Sequence, residues 1–246
     1  MTHNPASLTR LVLLGFSSAL FAHAVPAGDL PEIRVPRTDA VIVADGKLDE
    51  AAWTGAARLT LGDFWAQTSH PLETTEVLLL RTSKALHIAF IAADREILAT
   101  RTDRDDRTHR DDCVEIFLAR PRETNGDALA LEINALGTTA DYYYRHAGWI
   151  NFGWEPSVVR ITSQRNPQVP LTPPAPAPGF IVEVEIPWPE LLYALPEKEV
   201  PPRLRANFAR WNYGRGGRIF TIWSDPRSSR PTPLVPDRFG WLIFEE

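Results

Sequence analysis

A chain of 246 residues has room for one large β domain or two small ones, with a sizeable core in either case. Hydrophobic residues make up 44% and charged residues 23%, a globular composition that excludes a wholly disordered chain. The formal net charge of −5 argues against a nucleic-acid partner, which calls for a basic stripe.

The chain opens as an exported protein would. Residues 1–10 carry one basic side chain, Arg10, and no acid; the apolar run LVLLGFSSALF follows, and Ala22-His23-Ala24 has the small-x-small form of a signal peptidase site. The apolar run, about 11 residues, is too short to span a bilayer. The expectation is a signal peptide over 1–24 and a mature chain, 25–246, that is periplasmic or extracellular, monomeric and without a membrane span. Met1 is the only methionine and Cys113 the only cysteine, so the mature chain has no methionine and no internal disulfide.

Further along, short alternating runs dominate. LDEAAW (Leu48–Trp53) reads as a helical turn. TEVLLLRT (Thr75–Thr82) and ALHIAFIA (Ala85–Ala92) read as strands joined by a tight hairpin at Ser83-Lys84. DCVEIFLA (Asp112–Ala119), ALALEINAL (Ala128–Leu136), TADYYY (Thr139–Tyr144) and SVVRITS (Ser157–Ser163) are strand-like too. QRNPQVPLTPPAPAPG (164–179), with six prolines, reads as a long extended loop inside one domain. GFIVEVEIP (Gly179–Pro187) sets Val182, Val184 and Ile186 on a core face and Glu183 and Glu185 on a solvent face. WPELLY (Trp188–Tyr193) is helical, and LRANFARWNY, RIFTIWS and FGWLIF supply strands to the end, with Gly214–Gly217 as a turn. The fold expected is all-β: a single antiparallel β-sandwich of the jelly-roll or Ig-like two-sheet kind, with one or two short helices.

Several residues bear on chemistry. Glu115 sits mid-strand, flanked by apolar residues, so it needs a partner to offset desolvation: an arginine, a calcium ion or a ligand hydroxyl. A solvated face or a plain salt bridge is the alternative. The acids Asp103, Asp105, Asp106, Asp111 and Asp112 are oxygen-rich enough for calcium, yet arginines 101, 104, 107 and 110 interleave with them, as in a self-neutralising loop. Trp149 and Trp154, in the Gly-rich AGWINFGWEP, are candidate exposed platforms for a ligand with an apolar face; Trp53, Trp188 and Trp241 lie in strongly patterned segments and read as core. His70, His87, His109 and His146 lack zinc-motif spacing, and Cys113 reads as a small buried hydrophobe.

Taken in order, VIVADGKLDEAAW, RTSKALHIAFIAAD, RDDCVEIFLA, LEINALGTTAD, GFIVEVEIPWPEL, LRANFARWNY and IWSDP…PDRFGWLIF resemble the family 9 carbohydrate-binding modules, within the DOMON-like β-sandwiches. The resemblance runs from about Val41 to Phe244. It implies a non-catalytic module that binds carbohydrate and serves polysaccharide or oligosaccharide breakdown, with Glu115, Glu132 and Asn134 meeting sugar hydroxyls. It also implies structural calcium, for which Asp94, Asp111 and Asp112 are candidates. The paired tryptophans that clamp a sugar in well-studied members have no counterpart: the first falls near His109, the second in 227–235, which has no aromatic residue. Two rival readings are a glycosidase using Glu115 and Glu132 as paired carboxylates and a haem-binding electron carrier. No haem is expected, because a mature chain without methionine cannot supply the Met/His axial pair familiar in haem-carrying relatives.

Overall fold

The computed structural model describes residues 30–64, 73–121, 127–146, 149–156, 159–171, 177–214 and 217–246. Residues 1–24, where a signal peptide is expected, and His70 lie outside these. In chain order the strands are β1 (Glu32–Val35), β2 (Ala57–Thr60), β3 (Gly62–Asp63), β4 (Thr75–Arg81), β5 (Ala85–Ala93), β6 (Cys113–Ala119) and β7 (Ala128–Asn134). They continue with β8 (Thr139–His146), β9 (Trp149–Asn151), β10 (Arg160–Val169), β11 (Ala177–Pro187), β12 (Arg203–Gly214), β13 (Gly217–Ile222) and β14 (Gly240–Phe244). One α-helix, α1 (Trp188–Ala194), follows β11 directly.

Two sheets result. The larger runs β1-β14-β12-β6-β7-β8-β9, with β13 sharing the β12 edge and β3 beyond it; the smaller runs β10-β11-β5-β4-β2. All strand pairs are antiparallel except β1–β14. Alternation on the facing strands explains the core: Val77, Leu79, Ile88 and Phe90 of the small sheet meet Ile116, Leu118, Leu131 and Phe208 of the large one, all buried. Burying each such side chain stabilises the fold by about 1.5–3 kcal/mol before entropy is subtracted. The hairpin at Ser83-Lys84 closes as the sequence predicts, Thr82 N donating to Ala85 O at 2.9 Å. No helix among the described residues is long and apolar enough to cross a membrane, which leaves β-barrels unaddressed.

Two expectations need correction. The proline-rich stretch is not all loop: β10 runs through 164–169 and pairs with β11 from Ala177, with a register shift between Asn166 and Val169. Pro167 lacks an N–H for the ladder, and β10 is an edge strand, where that loss is tolerated; residues 172–176 lie outside those described. Gly179 is needed there, because a Cβ would fall 1.9 Å from Ala92 O on β5. Nor does Glu183 face solvent. Ile42, Leu48 and Trp53 pack on the outer side of the small sheet, so β11 is covered on both faces. Glu183 is 1% exposed and accepts hydrogen bonds from Gly46 N (2.9 Å) and Asp45 N (3.2 Å), clamping the turn where Gly46 takes φ +80°. Burial pushes its carboxyl up to about 7.

At one end a fully buried guanidinium ties the sheets together. Arg210 on β12 donates to Thr75 Oγ1 (3.0 Å), to Ala93 O (2.7 Å) and to Asp94 Oδ2 (2.9 Å).

Candidate functional site

The outer face of the large sheet carries the notable chemistry. Register sets Glu115 on β6 directly opposite Glu132 on β7, with Ala209 and Ala140 as their outer neighbours on β12 and β8. Two acids thus lie side by side, both buried although their neighbours across the sheet are alanines. Opposed residues in an antiparallel pair have Cβ atoms about 5 Å apart. Glu115 is 1% exposed; its Oε1 accepts from Trp211 Nε1 at 3.1 Å, and its Oε2 has no partner among the described residues. Burial first, and Glu132 second, hold the Glu115 carboxyl well above the usual carboxylate range.

Glu132 is better served. Tyr142 OH donates to its Oε1 at 2.7 Å and Thr108 Oγ1 to its Oε2 at 3.1 Å, while His109 Nδ1 lies 3.4 Å from Oε2. The Tyr142 hydroxyl is pushed up in turn, by burial and then by Glu132. Around this sealed pair stands a more open rim. His109 is partly exposed and its carbonyl is held by Tyr213 OH (2.9 Å) and Arg218 Nη2 (3.3 Å). Exposed Arg218 lies 3.3 Å from the centre of the Trp211 ring, which also stacks on Phe220 at 4.2 Å. Exposed Phe152 packs on Tyr142, ring centres 5.3 Å apart.

The structure therefore brings Glu115, Glu132 and His109 together and separates the rest. Asn134 is a brace. Its Nδ2 donates to Arg101 O and Asp111 Oδ2, and its Oδ1 accepts from Leu136 N and Thr138 N, so it ties β7 to the 101–111 loop. Trp154, expected as an exposed platform, is core: it is 5% exposed, stacks near Tyr143 and donates Nε1 to Glu190 Oε1 at 3.0 Å. The helix α1 covers it, which no local pattern in a Gly-rich loop announces. Trp149 is 38% exposed but pairs with His146, six positions along β8 from Ala140, roughly 20 Å away at about 3.3 Å per residue. Phe152 is the residue that sequence reasoning missed. It lies in the same aromatic loop, where a phenylalanine between two tryptophans carries no local signal of exposure.

The proposed calcium carboxylates are occupied by the protein's own donors. Asp94 pairs with Arg210 and caps Glu96 N. Asp111 accepts from Thr100 N, Arg101 N and Asn134 Nδ2. Asp112 accepts from Leu98 N and Tyr213 N, and burial lifts it to about 7. A buried guanidinium beside Asp94 repels a cation, and no group of three or more metal-ligating side chains converges among the described residues. The set fits an internal ionic brace better than a calcium shell.

A family model described as "Carbohydrate family 9 binding domain-like" matches residues 43–200. Among solved structures, a candidate carbohydrate-binding protein from Bacteroides uniformis superposes with a TM-score of 0.69 at 16% identity, covering 88% of this chain and 100% of that one. A family 9 carbohydrate-binding module from Caldicellulosiruptor kristjanssonii in complex with cellotriose gives 0.61 at 16% identity, covering 87% and 94%. The same organism's module in complex with glucose gives 0.58 at 15% identity, covering 86% and 95%. At these identities the likeness is one of fold. No curated protein matches the sequence.

Proposed function

We propose that this chain, which belongs to the carbohydrate family 9 binding domain-like family, binds a carbohydrate and performs no chemistry of its own. Family membership across residues 43–200 is the observation that carries this. The outer face supports it: an exposed aromatic, Phe152, stands over a buried hydrogen-bonding cluster, the pairing that recognises a pyranose by its apolar face and its hydroxyls. In this reading Phe152 is the platform, with His109 and Arg218 as polar rim. Glu132, at the edge of the buried pair, receives the hydroxyl that reaches furthest in, and Glu115 stands behind it. The relatives that hold cellotriose and glucose make glucose-containing chains the first ligands to try. Export, a monomeric state and service to a separate polysaccharide-degrading enzyme complete the proposal.

The glycosidase alternative is disfavoured by the same geometry. Both carboxyls lie beneath the surface, and Glu132 is held by its neighbours rather than poised at a scissile bond.

A glycan array on the chain from residue 25 tests the function. Selective binding that falls at least tenfold in Phe152→Ala, with the melting temperature kept, is expected. No binding to any glycan refutes the function, and undiminished binding by the variant refutes the site.

A further inference from the structure

Trp149 lies too far from the acid pair to serve it, yet it lines a cavity of about 300 Å³ of its own. This cleft opens at the sheet edge where β8, β9 and the end of α1 meet. Trp149, Tyr143 and Tyr144 give it aromatic surface; Arg120, Arg145 and Asn151 give it hydrogen-bonding groups. Its polar side chains are held in place. Arg145 binds Asp127 through two contacts, 3.0 and 3.2 Å, and lies 5.1 Å from the centre of the Trp149 ring; Arg120 pairs with Glu197 at 3.0 Å. Leu195 and Pro196 supply more of the apolar wall. A cavity of this size, part aromatic and part planar donors and acceptors, suits one ring of a neutral polyhydroxylated ligand. Each guanidinium group already has a carboxylate partner, Arg145 with Asp127 and Arg120 with Glu197, which leaves the cleft near neutral and favours an uncharged ligand over a phosphate.

The cleft also lies close to the rim on the other side of the edge. Tyr143, in its wall, packs toward the inter-sheet core, whereas Tyr142, under Phe152, belongs to the outer-face cluster. Trp149 and Phe152 are three residues apart, so their Cα atoms are separated by at most about 10 Å. We infer that the Trp149 cleft is a second sugar-binding subsite, and that a single polysaccharide chain bends over the β8–β9 edge to engage it together with the Phe152–Glu132 rim. The inference rests on the carbohydrate-binding function proposed above and adds a second point of contact. Two linked weak sites give polymer affinity beyond either alone, because the second contact forms at high effective concentration. Short oligosaccharides gain nothing from it.

The test compares the parent protein with Trp149→Ala, Trp149→Tyr and Phe152→Ala. Affinity electrophoresis is run in gels containing hydroxyethyl cellulose, mixed-linkage β-glucan, arabinoxylan or galactomannan, and calorimetric titration uses cellotriose and glucose. Expected is a loss of at least fivefold in polymer affinity for Trp149→Ala, little change for Trp149→Tyr, which keeps a ring, and unchanged affinity for the short sugars. Phe152→Ala should weaken both polymer and short-sugar binding. Equal polymer retardation of the parent and Trp149→Ala overturns the subsite while leaving the carbohydrate function intact. So does a loss in Trp149→Ala that is matched in the Tyr variant. A concentration-dependent dimer of the parent that Trp149→Ala abolishes, with sugar affinity unmoved, overturns it in favour of an edge-strand contact. A parent that binds no carbohydrate refutes the function first and the subsite with it.

Discussion

Replacing Glu115 with Gln probes the acid pair directly. In the folded protein Glu115 lies opposite Glu132 and is 1% exposed, with Trp211 Nε1 as its donor among the described residues. On opposed strand residues with Cβ atoms about 5 Å apart, two ionised carboxylates at an effective dielectric near 20 repel by up to about 3 kcal/mol. The protein avoids part of that by keeping a proton on Glu115, whose affinity for it is raised by burial and by Glu132. A carboxyl whose folded pKa is raised destabilises the fold as pH climbs above its unfolded value. Gln keeps the Trp211 bond through its carbonyl oxygen and turns its NH2 toward Glu132 as a donor. The variant should therefore match the parent near pH 4 and become the more stable protein near pH 8, by about 1–3 kcal/mol. At roughly 2–4 °C per kcal/mol for a chain of this size, the melting temperature should rise by a few degrees. Sugar affinity should fall severalfold, since the Gln NH2 occupies an oxygen of Glu132 that a sugar hydroxyl would otherwise use, and one hydrogen bond is worth about 0.5–1.5 kcal/mol net. Melts at pH 4, 6 and 8, with calorimetric titration of the best array ligand, measure both. A variant less stable than the parent at every pH would refute the acid-pair account, and unchanged affinity would place the sugar elsewhere.

Other consequences follow from buried charge. Arg210→Met leaves Asp94 buried without its guanidinium and should cost about 3–5 kcal/mol, while Arg210→Met with Asp94→Leu should recover much of it; a single variant that melts with the parent shows the pair to be inert. Parent stability should fall between pH 6.5 and 8. Asp112 and Glu183, both pushed up to about 7 by burial, hold protons in the fold that the unfolded chain has lost. Between about 4 and 6.5 His87, lowered to about 4 by burial, acts in the opposite sense, so the higher window isolates the carboxyls; a flat or rising melting temperature there refutes the assignment. Millimolar calcium and excess chelator should give the same melting curve, because Asp94, Asp111 and Asp112 already have protein donors; a shift of several degrees would show a metal shell that these residues complete.

Much of the molecule was legible before any coordinates. Period-two alternation in ALHIAFIA, CVEIFLA and GFIVEVEIP specifies strands because a strand shows one face to the core at every second residue, and the Ser83-Lys84 break between two such strands specifies their hairpin. The anomaly of Glu115 was visible as well, as an acid in an apolar run. What alternation cannot state is what covers the second face. Glu183 reads as solvent-facing until Ile42, Leu48 and Trp53, more than a hundred residues away, close over it. Trp154 reads as a platform until Glu190 of α1 takes its indole N–H, and residues 164–169 read as loop until β11 accepts β10 as an edge strand. The pairing of Glu115 with Glu132 is of the same kind. Each strand fixes its own facing, but the register between strands fixes who stands opposite whom. That register depends on the turn between β6 and β7 and on the packing of the inner face, a sum over many contacts distant in sequence. Local alternation thus set which residues share a strand face, and only the assembled sheets decided which faces are covered and which residues stand together.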